Sequence, residues 1–181
     1  MRLVQSRRRP RRTVVMNYAA DDLGGKFYWR YCAADKHVEE AADFLVDELF
    51  LKKSRAKNPY TMAAAYGYFF DRIKAAERGE LNPPDEVDTL SRPNPDAGFF
   101  EIRWQDINVT ELQPVKKHVK VAVRLYYVEP QEFARAMIGL HGHEKVIKST
   151  PKETRDCQNK EIERALTCYN KGYVDRWGLG L

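Results

Sequence analysis

Cysteine is scarce: the 181 residues hold three, Cys32, Cys157 and Cys168. An odd number at no metal-like spacing argues against a disulfide framework, and reduced thiols in a cytoplasm are the simplest reading. Long apolar runs are also missing. No window approaches the ~18 apolar residues that a membrane helix needs, so no membrane role is expected. The N-terminus is basic, but no apolar segment follows it, and a secretory signal is not expected. No internal repeat is visible.

What is present is enough apolar material for one core, 43% of the chain, and an uneven charge. The net +5 divides into three parts. Residues 1–12 carry six arginines and no acid. Residues 13–111 carry 12 Lys and Arg against 18 Asp and Glu, and residues 112–181 carry 13 against 8. An acidic middle thus lies between two basic ends, which hints at a polyanion partner for the C-terminal part. Residues 1–15 have no periodic apolar pattern and read as a disordered basic tail. Met16 offers an alternative start. Residues 16–181 read as one domain.

"GGKFYWRYCAA" is short and aromatic-rich and reads as a first strand. "DKHVEEAADFLVDELFLKK" places Val38, Ala42, Leu45 and Leu49 at helical spacing, with Asp35 as N-cap. In the next segment Asn58 caps, Pro59 takes the first helical position and Gly79 ends the helix. "LNPPDEVDTLSRPNPDAG" reads as loop. "FFEIRW", "VKVAVRLYYVEP" and "FARAMIGL" read as three strands, with Gln105–His118 as a polar connection between the first two. Thr150-Pro151-Lys152-Glu153 fits a capping box before a last helix with Ile162, Ala165, Leu166 and Tyr169 on one face. Strands gathered after helices indicate an α+β fold: a small antiparallel sheet with an N-terminal helical hairpin and a C-terminal helix.

"FFEIRW", "VAVRLYYVEP", "MIGLHGHEKVIKSTPK" and "KEIERALTCYNKGY", in that order, resemble the toxin family of HigB and related phage-derived proteins. That family belongs to the RelE/ParE superfamily of toxin–antitoxin systems, and the resemblance covers roughly residues 26–176. His143 stands where an aromatic is usual, and Val146 where a second lysine is usual. The resemblance implies a RelE/ParE-like domain that cleaves messenger RNA, commonly on the ribosome, with no cofactor. Its partner would be a helix-turn-helix antitoxin. Relatives on the same fold poison DNA gyrase instead, and a weakened protein that binds antitoxin or nucleic acid is a further alternative.

Metal-free RNA cleavage uses the substrate's own 2′-OH as nucleophile. A base must take its proton, an acid must protonate the leaving 5′ oxygen, and cations must offset charge growing on phosphate. His141 and His143 are suited to acid or base work near neutral pH. They stand two apart, so in extended structure both point to one face. Arg103 and Arg124 suit a phosphate, and Lys145 adds a cation beside them. Trp104 or Tyr126 is a candidate platform for a base, and Lys148 and Lys152 are candidate RNA contacts. Strand parity puts Arg124 with Ala122 and Tyr126 on an open face. Each residue also has a plainer reading. The arginines suit strand positions paired with acids, the lysines a solvated loop, His141 a structural hydrogen bond, and His143 simple packing. A metal at "HGHE" would need a third ligand that the spacing does not supply, so no metal is expected.

Overall fold

The computed structural model describes residues 17–30, 40–51, 54–90 and 97–178. Within them it is an α+β protein with one five-stranded mixed sheet and three helices. The elements are β1 (Lys26–Trp29), α1 (Ala41–Val46, continued by a π-helical turn Asp47–Leu51), α2 (Pro59–Arg78), β2 (Val87–Thr89), β3 (Ala97–Glu111), β4 (Lys117–Pro130), β5 (Ala136–Glu144) and α3 (Pro151–Val174). A short 3₁₀ turn follows at Arg176–Gly178. The sheet order is β1-β5-β4-β3-β2. Three pairings are antiparallel, but β1 runs parallel to β5, which corrects the all-antiparallel expectation. No helix among the described residues is long and apolar enough to cross a membrane.

Local chemistry explains the helix ends. The Asn58 side chain accepts from the Tyr60 and Thr61 amides, Pro59 opens α2, and Gly79 closes it at φ 73, a left-handed position where a side chain would be strained. Thr150 and Glu153 complete the capping box of α3. The Asp35 cap and Val38 lie outside the described residues, as do residues 1–15.

The 105–118 stretch is not a connection. β3 continues through it to Glu111 across a bulge between Trp104 and Ile107, and β4 begins at Lys117. Only alternate residues are apolar here because one face is still packed, with Ile107 and Val109 buried in the core, while the other is exposed. β2 likewise forms inside a segment read as loop, paired to Phe100–Ile102.

Both faces of the sheet are covered. On one, α1 and α2 pack over Phe100, Ile102, Trp104, Val123, Leu125, Tyr127 and Met137. The approach is close: a side chain at Gly142 would meet Leu45 at 2.4 Å. On the other, α3 packs over Phe99, Tyr126, Val128, Ile138 and Leu140 through Ile162, Ala165, Cys168 and Tyr169. The open face expected beside Arg124 is therefore a second core. Parity over residues 121–126 alone misses it, because "LYYV" is apolar on both faces, the pattern of a strand buried on two sides.

Candidate functional site

The strand register assembles two neighbouring rows on the α3 face. Arg103 of β3 stands opposite Arg124 of β4, which stands opposite His143 of β5. Glu101 stands opposite Tyr126, which stands opposite His141. His141 and His143 share this face, and their rings lie parallel at 5.8 Å. The first half of α3 lies over both rows and contributes Gln158 and Glu161.

The rows are heavily paired. Arg103 donates from Nε to Glu101 at 2.7 Å, from Nη2 to Asp88 at 2.5 Å and from Nη1 to the Pro84 carbonyl at 2.7 Å. Arg124 donates to the Val123 carbonyl at 2.9 Å and stands 3.8 Å from Glu101. Glu101 thus lies between the two guanidiniums, with only 1% of its surface exposed. Burial lowers the Arg124 pKa, partly countered by Glu101. The guanidinium still stays charged at any ordinary pH.

His141 Nε2 lies 2.7 Å from Glu161. Burial raises the Glu161 pKa, but the His141 hydrogen bond and nearby positive charge outweigh it, and the carboxyl ends below its ordinary value. An ionised carboxylate only accepts, so His141 carries its proton on Nε2. His143 Nδ1 lies 3.0 Å from the Glu144 carbonyl, which also only accepts. That fixes the other tautomer, and Nε2 of His143 accepts from the Tyr126 hydroxyl at 3.1 Å. Burial brings the His143 pKa down to about 4, so it is neutral near pH 7. Burial and the Glu101 charge push the Tyr126 hydroxyl well above the usual phenol range. The site therefore holds one neutral histidine beside one tied to a carboxylate, with a protonated phenol between strands.

Beyond β5 the chain leaves the sheet. Lys145 donates its amide to the Ala122 carbonyl at 2.8 Å. Burial and the Arg124 charge lower the pKa of its ammonium. A cavity of about 20 Å³, room for a single water, lies between His143, Lys145, Cys157 and Glu161. It shares Lys145, Thr154 and Gln158 with a groove of about 380 Å³ that is also lined by Ile147, Lys148, Ser149 and Arg155. Among the described residues no carboxylate lines that groove. Lys152 is exposed on the first turn of α3.

The sequence candidates therefore separate. Arg103, Arg124, Tyr126, His141, His143 and Lys145 come together, and Lys148 lines the adjoining groove. Trp104 does not join them. It lies on the opposite face, fully buried, donating to the Tyr68 carbonyl at 3.1 Å and packed edge-on against Phe69. Tyr126 is also fully buried, between sheet and helix. Neither ring is available for a base to stack on. Glu144 turns to the far face and meets Arg55 with two hydrogen bonds of 2.8 and 3.0 Å, away from the histidines. Among the described residues no group of three or more His, Cys, Asp or Glu side chains is placed to hold a metal ion.

Two acids were missed. Glu101 shares strand parity with Arg103, a signal that was available. Glu161 stands four and eight residues before Ala165 and Tyr169 on the buried stripe of α3, so helical spacing alone placed it toward the sheet. No protein-family model, curated protein or solved structure matches the chain.

Proposed function

We propose that the protein is a toxin of the HigB type, an endoribonuclease that cleaves messenger RNA without a metal ion. Its natural partner would be an antitoxin, and its substrate would be presented by the ribosome. The observation that carries this reading is the cross-strand row Arg103–Arg124–His143 with the His141–Glu161 pair beside it. Two cations, a neutral histidine and a carboxylate-held histidine are the groups that 2′-OH attack on a phosphate requires. Metal-free chemistry also suits a groove whose charged lining is cationic throughout: Lys145, Lys148 and Arg155 would draw the RNA backbone toward the row.

In this scheme His143 takes the 2′-OH proton. It is neutral near pH 7, and its Nε2 becomes an acceptor for substrate once Tyr126 rotates away. His141 would act as the acid in its doubly protonated form, an imidazolium whose charge Glu161 offsets, giving one proton to the leaving 5′ oxygen and reverting to the neutral ring. Arg124 and Arg103 offset the charge on phosphate, which requires Glu101 to yield one of its two partners. The products are a 2′,3′-cyclic phosphate and a 5′-OH end.

One observation favours a second reading, binding of nucleic acid or antitoxin without cleavage. Arg124, His141 and His143 are each less than a tenth exposed, and Glu101 together with Asp88 already offsets the two arginines. Inducible expression without an antitoxin separates the two. The nuclease reading expects growth arrest, relieved by His143→Ala. Normal growth with soluble, folded protein would overturn the toxin assignment, and arrest unaffected by His143→Ala would favour the binding reading.

A further inference from the structure

A second cavity lies on the far side of the sheet, between β1, α1 and α2. It measures about 200 Å³. That is several times the ≈ 30 Å³ share of a water and below the ≈ 300–1,000 Å³ of pockets for drug-sized ligands. The volume suits one large side chain. Phe27 and Trp29 stand two apart on β1 and present their rings from one side, and Phe70 of α2 presents its ring from the other. Ile73 and Ala41 are buried and form the floor.

Among the described residues three charged groups border these rings: Glu40, Glu77 and Lys74. Lys74 shows what the surroundings favour. Its ammonium lies 5.4 Å from the centre of the Phe70 ring and 2.7 Å from Glu77. Glu40 makes no ion pair among the described residues. Its carboxylate accepts from the Tyr66 hydroxyl at 2.9 Å, and Glu40 is exposed. Among the described residues two carboxylates and three rings meet one cation; Glu77 is engaged by Lys74 and, at 3.0 Å, by the Phe27 amide, which leaves Glu40 as the carboxylate for a second.

We infer that this cavity binds an arginine side chain of a partner polypeptide, whose neighbouring residues lie along α2. A guanidinium stacks on aromatic faces and meets a carboxylate through two donors, which a compact ammonium cannot do. The polypeptide context follows from the surface beside the cavity. Tyr66 and Phe70 stack at 6.0 Å with planes 14° apart and are both half-buried. They form an apolar step leading out of the cavity along the helix. The described lining carries two carboxylates against one ammonium, which favours a cationic group of the partner. The inference does not depend on the nuclease reading, because the cavity and the candidate site lie on opposite faces of the sheet.

The test follows the Trp29 indole N–H resonance by NMR in the full chain. Three probes are titrated: acetyl-Arg-Leu-Leu-amide, the same peptide with citrulline for arginine, and acetyl-arginine amide. The arginine peptide is expected to move the resonance saturably. Citrulline keeps the shape and loses the charge, and should bind at least about tenfold more weakly. Acetyl-arginine amide should also bind more weakly, for want of the Tyr66–Phe70 contact. Glu40→Gln should reduce affinity for the arginine peptide about tenfold without unfolding the chain, since Glu40 is exposed and its side chain makes no cap bond to α1. Phe70→Ala should reduce it by a similar factor. Equal binding of the citrulline peptide would overturn the role of charge, and equal binding of acetyl-arginine amide would overturn the polypeptide partner. A Trp29 resonance unmoved at millimolar peptide would overturn the site itself. A Trp29 shift on deleting residues 1–12, with no peptide added, would assign the cavity to the chain's own basic tail and overturn the partner.

Discussion

Arg124→Ala is the substitution on which the two pictures of this sheet differ most. An arginine on an open face costs little to remove. The structure buries it to 4% exposure under α3, with hydrogen bonds to main-chain carbonyls and Glu101 at 3.8 Å. Removing one partner of a buried ion pair typically costs about 3–5 kcal/mol, because the other charge is left uncompensated. Here the loss is partly offset, since Arg103 still holds Glu101 at 2.6 Å and no longer faces a like charge. The expected cost is about 2–3 kcal/mol, less than the full buried-pair value. Arg103→Ala should cost at least as much, because it leaves Glu101 with its longer contact only. Urea unfolding followed by tryptophan fluorescence measures both. Adding Glu101→Gln to Arg124→Ala should recover about 1 kcal/mol or more, as expected for neighbours in one network. A cost below about 0.5 kcal/mol with no coupling, the range of ordinary surface changes, would refute the buried network and restore the open face.

Three further outcomes follow from the same packing. His143 has its pKa lowered to about 4 by burial, so the unfolded chain binds more protons between about pH 4 and the ordinary value of 6.5. Its contribution to stability is complete above pH 6.5 and lost as pH falls toward 4, worth up to about 3 kcal/mol; His143→Phe should flatten the pH dependence of urea midpoints in that window. Glu129 behaves oppositely. Burial, with Asp21 adding to it, raises its pKa to about 8 even though it accepts from the Tyr18 amide. Stability should therefore fall as pH rises from 4.5 to 8, and Glu129→Gln should remove that slope and leave the protein more stable than its parent at pH 9. Leu125→Ala, in the core under α1 and α2, should cost about 2–5 kcal/mol in urea unfolding and show no coupling to Glu101→Gln.

Much of the fold was legible because local chemistry and tertiary packing agree there. Asn58, Pro59 and Gly79 bound a helix by capping rules alone, and Thr150 with Glu153 does the same. The convergence of Arg103, Arg124, His141 and His143 was legible from parity and order. What sequence could not weigh was the second layer. The α3 stripe of Ile162, Ala165 and Tyr169 was recognised, but not the face of the sheet that receives it. That single omission made Arg124 look exposed and Tyr126 look like a platform. Trp104 was misplaced for a related reason: in "EIRW" it alternates with Arg103, so it had to lie on the other side. The parallel β1–β5 pairing has no local signature, since it is set by which strand edge remains free when the hairpins have formed.

The most direct test of the proposed function is transcript 5′-end mapping after brief induction of the intact chain and of His143→Ala. The account predicts new ends inside messenger RNA that carry 5′-OH, appear within minutes of induction and are lost in the variant. With purified ribosomes and message, cleavage should persist under a chelator that leaves ribosomal magnesium in place. Absence of new 5′-OH ends despite growth arrest would contradict it, as would cleavage that only an added transition metal restores.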